Sequence, residues 1–207
     1  MKLFYSPGAC SQAPHMVLLE TGLSHDTARV DLKAKKLEDG SDYLAINPKG
    51  SVPALQLDSG EVLTENAVIL QYLGDRAAWP PLLPPIGDFR RYRVLEWLNF
   101  ITTELHKSFA PLFKPNAGDE TKAFFRDLVG QRLDYVEQRI GTGPYLMGED
   151  ITLPDFYLFV ITGWAESMGL ATEARPNLQA FRKRMLERDS VQAMLRAEGL
   201  LEAQSAG

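Results

Sequence analysis

The single cysteine, Cys10, stands where a thiol is chemically useful. It follows the turn residues Pro7-Gly8-Ala9 and precedes a helix that the apolar spacing places from Ser11 to Thr21, closed by Gly22. Backbone N–H groups at a helix start have no intrahelical partner, and the helix dipole is positive there, so a thiol in that place ionises more easily than a free one. Cys10 is thus either a reactive or sulfur-binding group or a small buried hydrophobe, the role most lone cysteines take. Ser11 reads first as the N-cap of the helix, with a hydroxyl that can also donate to a sulfur anion. Tyr5 ends a strand and points toward the same mouth. Its phenol either steadies a thiolate or belongs to a core aromatic with its hydroxyl at the surface.

Other residues offer binding chemistry. Asn99, Thr103 and His106 follow at i, i+4 and i+7 of a long helix, a polar stripe bordered by Lys107 that lines either a cleft or a hydrogen-bonded helix seam. Glu65-Asn66 opens another helix. Its free N–H groups suit a ligand carboxylate and the Glu65 side chain can take an ammonium, although a plain cap is the local reading. Val52-Pro53 is of the bond type that can be cis, which would expose the amide and carbonyl of Val52 at a strand edge. His15, one turn into the first helix, packs and donates, and His25 carries no assignment. No metal-ligand spacing, glycine-rich phosphate loop or Ser/His/Asp set is present.

The elements that must position these groups fall into two halves. Residues 1–77 alternate: a strand at 2–5, the helix at 11–21, a strand at 27–30, a weak helix near 36–44, a hairpin of 54–57 and 62–63 around Asp58-Ser59-Gly60, and a helix from Asn66. This is a small mixed α/β domain. Residues 78–86 hold Trp79-Pro80-Pro81 and Pro84-Pro85 and read as a linker, because proline lacks a donor and restricts the residue before it. Residues 87–207 read as helix throughout. Val94, Leu98, Ile101, Leu105 and Phe109 mark one face of a helix ended by Pro111, and Phe125 to Ile140 repeat the pattern. A third helix from Leu153 to Met168 is apolar nearly all round, which predicts full burial. Thr152 with Asp155, and Ile151 with Phe156, supply its capping box and hydrophobic staple. Two further helices cover 178–188 and 191–198.

Bulk composition narrows the class. The 207 residues are 45% hydrophobic and 24% charged, ordinary for a globular chain. The net charge is −5 and the longest basic run is the three residues Arg182-Lys183-Arg184, too short for a concentrated basic patch, which disfavours nucleic-acid and anionic-membrane partners. One cysteine forms no intrachain disulfide, and the opening residues lack the apolar run of a secretory signal. The expectation is a cytoplasmic protein.

Taken together, the residues resemble the cytosolic glutathione transferases, within them the bacterial beta class. The resemblance rests on Met1-Lys2-Leu3-Phe4-Tyr5-Ser6-Pro7-Gly8-Ala9-Cys10-Ser11, on Asn47-Pro48-Lys49-Gly50-Ser51-Val52-Pro53 and on Leu63-Thr64-Glu65-Asn66. The helical half adds Glu96-Trp97-Leu98-Asn99-Phe100, Glu104-Leu105-His106-Lys107, Thr152-Leu153-Pro154-Asp155 and Trp164. It implies a thioredoxin-like α/β domain followed by an all-α domain, a homodimer, and glutathione as co-substrate with no tightly bound cofactor and no metal. By this resemblance Val52, before a cis Pro53, pairs with the cysteinyl backbone of glutathione, and Glu65 with Asn66 holds the γ-glutamyl end. Lys35 and Lys107 match positions near the glycyl carboxylate or the sulfur. Cys10 and His106 match the residues beside the sulfur, with Ser11 at the same helix start, and Asn99 matches one that reaches glutathione across the dimer. Trp164, with Tyr5, Phe109 and Phe113, is assigned to a hydrophobic electrophile. One departure is visible: the family usually has serine or glycine where this chain has Asn66.

The implied reaction is attack of glutathione thiolate on an electrophilic small molecule, a detoxifying conjugation. Two other readings stay open. Cys10 can form a mixed disulfide with glutathione and act as a monothiol reductase. The aromatic-rich helical half (Phe109, Phe113, Trp164) also suits a non-catalytic carrier of apolar ligands.

Overall fold

The computed structural model describes residues 1–170 and 174–201, and the chain divides into two compact units. The first comprises Met1–Trp79 and the described residues from Leu186 on; the second is Pro80–Met185.

In the first unit, β1 (Lys2–Tyr5), β2 (Asp26–Asp31), β3 (Lys36–Leu37), β4 (Ala54–Gln56) and β5 (Val62–Thr64) form one sheet in the order β3-β2-β1-β4-β5. β1 and β2 are parallel and joined by α1 (Gln12–Thr21); the other pairs are antiparallel. The period-two alternation of strands sends Leu3 and Leu55 to one face and Phe4 and Ala54 to the other, all of them buried. The first of these faces lies under α1 and α2 (Asn66–Ala77), whose Met16, Val17, Ile69 and Leu73 are fully buried. The second packs Phe4, Val30, Tyr43, Val52 and Ala54 into a separate small cluster. α8 (Asp189–Ala197) packs on α1 and buries Val191, Met194 and Leu195.

The weak helix expected near 36–44 is not formed. Lys36–Leu37 pairs with β2 as a strand, and only Tyr43–Ala45 makes a single 3₁₀ turn. The cause is local turn chemistry. The Asp39 carboxylate accepts the N–H and hydroxyl of Ser41, Gly40 takes a φ of 83°, and Asp42 accepts the Leu44 N–H. These side chains offer the backbone an alternative to helix.

The second unit contains α3 (Phe89–Phe100), α4 (Lys107–Phe109), α5 (Asp119–Ile140), α6 (Leu153–Ser167) and α7 (Pro176–Leu186). α6 is buried from Leu153 to Thr162, as its all-round apolar sequence requires. Its start carries the expected capping box: Asp155 Oδ2 accepts from both the N–H and the hydroxyl of Thr152, and Oδ1 accepts the Leu146 N–H. The continuous helix expected from Val94 to Phe109 is interrupted. Ile101–His106 is a π segment between α3 and α4. Around it the hydroxyls of Thr102, Thr103 and Ser108 donate to carbonyls four residues back, the kind of bond that loosens a helical ladder. The wider turn splits the expected polar stripe: Asn99 and Thr103 are exposed, while His106 is part-buried against Tyr157 and Trp164. Among the described residues no helix is long and apolar enough to cross a membrane.

Candidate active site

In the first unit three backbone stretches converge on Cys10. The first is its own turn. Gly8 takes a φ of 73°, which favours glycine, and Ala9 N–H bonds Ser6 O at 3.1 Å. Ser11 does not cap α1 as expected. Its φ is helical, and its hydroxyl accepts the Ser6 N–H at 3.2 Å and donates to Ser6 O at 3.3 Å, so it closes the β1–α1 turn instead. Cys10 is buried, with 7% of the residue exposed.

The second stretch is the loop ending at Val52-Pro53, whose bond is cis. Three side chains hold it. Lys35 Nζ donates to Gly50 O at 2.7 Å, and both the Tyr43 hydroxyl and Asn47 Nδ2 donate to Ser51 O at 2.8 Å. The Cys10 thiol in turn donates to Val52 O at 3.3 Å. The Tyr43 phenol is pushed up in pKa by burial and stays a donor.

The third stretch is the start of α2. Asn66 Nδ2 donates to Cys10 O at 3.2 Å. Glu65, just before it, has φ 73° and ψ 117°, a strained conformation for a residue with a side chain and one that clusters at ligand sites. Its carboxylate makes no cap bond; Lys49 Nζ donates to it at 2.6 Å and to the Thr64 hydroxyl at 2.9 Å. Tyr5 packs its ring 5.6 Å from that of His15, and burial, then the Glu198 and Glu38 carboxylates, raise its pKa, so the phenol keeps its proton.

Sequence reasoning missed Glu198. Its fully buried carboxylate accepts from the Gly8 N–H at 3.1 Å and Gln12 Nε2 at 3.2 Å, and meets His15 Nδ1 at 3.1 Å. The only sequence signal was His15 on a buried helix face, which asks for a partner without naming it. Lys49 was likewise read only as part of a motif.

The second unit places the remaining candidates. His106 Nδ1 shares a hydrogen bond with the Tyr157 hydroxyl at 2.5 Å, and its ring lies edge-on to Trp164 at 4.9 Å. Burial, helped by the Lys107 charge, lowers its pKa to about 4, so the imidazole is neutral at physiological pH. Trp164 also contacts Phe109 at 5.8 Å and Phe113 at 5.2 Å. Phe109 is fully buried and backs this aromatic group, whereas Phe113 is 51% exposed. Asn99 and Lys107 are both exposed.

Comparison with known proteins gives this geometry its context. The glutathione S-transferase N-terminal domain matches residues 8–76 and the corresponding C-terminal domain matches residues 100–189. A glutathione S-transferase, GstA, of Escherichia coli O157:H7 is 46% identical over 97% of this chain and 100% of its own length. This chain belongs to the glutathione S-transferase family.

Its two units accordingly have that family's thioredoxin-like and all-helical folds. The glutathione S-transferase GST-4.5 of Xanthomonas campestris is 37% identical, with 97% of this chain and 100% of that protein covered. Among solved structures, a ternary complex of BphK, a bacterial glutathione transferase, superposes with a TM-score of 0.94 at 48% identity, covering 97% of this chain and 100% of that one. A sphingomonad enzyme complexed with glutathione gives 0.93 at 44%, with the same coverage. The beta-class transferase of Sphingomonas chungbukensis gives 0.93 at 45%, again over 97% and 100%.

Proposed function

We propose that the protein conjugates the thiolate of glutathione to small apolar electrophiles, as a cytoplasmic homodimer without a tightly bound cofactor. The observation that carries this reading is the convergence on Cys10 of the Val52 carbonyl and the α2 start. The relatives named as transferases and the glutathione-bound structure support it.

In this reading glutathione lies along those three stretches. The carboxylate of its γ-glutamyl end takes the N–H groups at the start of α2, and its ammonium takes Glu65. The main chain of Val52 pairs with the cysteinyl residue. The Val52 carbonyl has two lone pairs, so it accepts a ligand N–H while keeping the Cys10 thiol. Lys35 supports the loop through Gly50 O and, with Lys107, is assigned to the glycyl carboxylate; Asn99 is assigned to the dimer mate's ligand.

The chemistry is a substitution. Glutathione's thiol, pKa about 8.5 when free, loses its proton to solvent. The sulfur lone pair then forms a C–S bond as the leaving group departs with its electron pair. The protein's part is to favour the anion. The helix start behind Cys10 supplies partial positive charge, and Ser11 shapes the turn that presents it. Neutral His106 acts as a hydrogen-bond donor rather than as a cation. When the Tyr157 phenol donates to Nδ1, Nε2 carries the ring proton. Trp164, Phe113 and Tyr5, with Phe109 behind, are assigned to the electrophile.

Calorimetry with glutathione, combined with thiolate absorbance across pH, tests the reading. Binding with the bound thiol's pKa below its free value is expected. Absence of binding, or an unshifted thiol, contradicts it. Sedimentation tests the dimer.

A further inference from the structure

Asn66 makes little sense as a stabilising residue. Asn66 is 7% exposed and its Oδ1 is buried with no hydrogen-bond partner among the described residues. Burying an acceptor without a donor costs free energy that water would otherwise supply. The opposite end of the amide does not offset that by rescuing an orphan. Cys10 O, which Nδ2 meets at 3.2 Å, already accepts the Ala13 N–H at 3.1 Å within the first turn of α1. Reversing the amide gives no relief, since it would set Oδ1 against the Cys10 carbonyl.

What the side chain does supply is a link. It joins two residues 56 apart in sequence: the first residue of α2 and the residue that presents the thiol. Cys10 extends the link, because its Sγ donates to Val52 O at 3.3 Å. Asn66, Cys10 and Val52 therefore form one hydrogen-bonded chain across the surface assigned to the γ-glutamyl and cysteinyl parts of glutathione. Serine is too short to copy this reach, and glycine has no side chain to do it.

We propose that Asn66 is a positioning residue that acts through Cys10: its amide holds the Cys10 peptide against the start of α2, so that seating the γ-glutamyl group there fixes where the thiol stands. This rests on the glutathione reading above. The side chain's task is to couple two parts of the site, and the ligand's carboxylate is left to the backbone of α2.

The test uses Asn66→Leu, which keeps the size but removes both the donor and the orphan acceptor, with Asn66→Ser as a second variant should leucine prevent folding. Cys10 is the only cysteine, so iodoacetamide alkylation reports its placement without any turnover. The proposal expects alkylation to quicken and kcat with glutathione to fall, each by about tenfold or more, as for a reacting group misplaced by a fraction of an ångström. KM should stay within about twofold, because uniform binding is untouched. The melting temperature should be unchanged or higher. A lower melting temperature with unchanged alkylation and kcat overturns the proposal, as does a rise in KM alone. Wild-type protein whose Cys10 is not protected by glutathione overturns the glutathione reading instead, and the alkylation rates of the two free proteins still decide whether Asn66 positions the thiol.

Discussion

The carboxylate of Glu198 accepts the backbone N–H of Gly8 at 3.1 Å, across 190 residues of sequence. The segment after α8 thereby fixes the turn that delivers Cys10. The same carboxylate takes Gln12 and His15 on α1, so one buried acid organises the whole entry to that helix.

Truncation of Glu198 should therefore act on both stability and chemistry. Glu198→Ala leaves several buried donors without an acceptor, a loss of about 3 kcal/mol or more. Urea unfolding measures it, and a change below about 0.5 kcal/mol, typical of a surface site, would count against the role. Glu198→Gln retains one acceptor oxygen and should lose less. Conjugation by the alanine variant should fall even at temperatures where it is fully folded.

His106 makes a pH prediction. Its folded pKa of about 4 lies below the unfolded value of 6.5. As pH falls through 6.5 the unfolded chain takes up a proton that the folded one refuses, so stability drops between pH 6.5 and 4. Below about 4 both states are protonated and the drop ends. The size is up to roughly 3 kcal/mol. In His106→Asn this part of the slope should vanish. Equal slopes for the two proteins across that window would refute the assignment.

Lys49 and Glu65 form an exposed pair that a ligand ammonium must share or displace. Such a pair is worth less than about 1 kcal/mol, so Lys49→Met should change glutathione affinity by no more than about fivefold, toward tighter binding. Glu65→Gln should weaken it by more than about tenfold, since a charge-assisted bond is lost. Calorimetry on both variants separates the effects, and tighter binding by the glutamine variant would exclude Glu65 as the ammonium site.

Asp155 is fully buried and its carboxylate accepts three donors at the start of α6. Asp155→Ala should destabilise the protein by about 3 kcal/mol or more, chiefly by stranding the Leu146 and Thr152 N–H groups. Thermal unfolding checks this. A cost near that of an exposed cap, about 1 kcal/mol, would mean that water replaces the carboxylate.

Local signals were the legible ones. Asp58-Ser59-Gly60 announced the β4–β5 hairpin, where Leu57 N–H bonds Glu61 O, and Thr152 with Asp155 announced the start of α6. Interactions between distant segments were not legible. Glu198 sits in Arg196-Ala197-Glu198-Gly199, which reads like any solvated helix end, and only folding brings it to Gly8. Ser11 looked like a cap because its type and place fit one, but the Ser6 backbone competes for its hydroxyl. The π segment escaped because Val94, Leu98, Ile101, Leu105 and Phe109 fit an α period, and the loosening comes from hydroxyls whose partners a sequence does not show.

The motifs around Cys10 were legible through family resemblance, although its environment was not: position alone left it between a reactive thiol and a small core residue. The structure finds it buried, with its Sγ on the Val52 carbonyl and its own carbonyl on Asn66. A thiol so engaged suits orientation of glutathione more than attack. Cys10→Ala should retain conjugation at a kcat lowered by about tenfold, like Asn66→Leu, because the contact that orients glutathione is lost. It should also lose the glutathione adduct that mass spectrometry detects under oxidising conditions. An alanine variant without conjugation would give the thiol a direct part.

The most direct test of the whole account is the rate at which a chloronitrobenzene is consumed with glutathione present, with and without the protein. The account predicts a glutathione-dependent rate above the uncatalysed one, saturating in both substrates. A rate equal to that of glutathione alone, in protein shown to be folded, would contradict it.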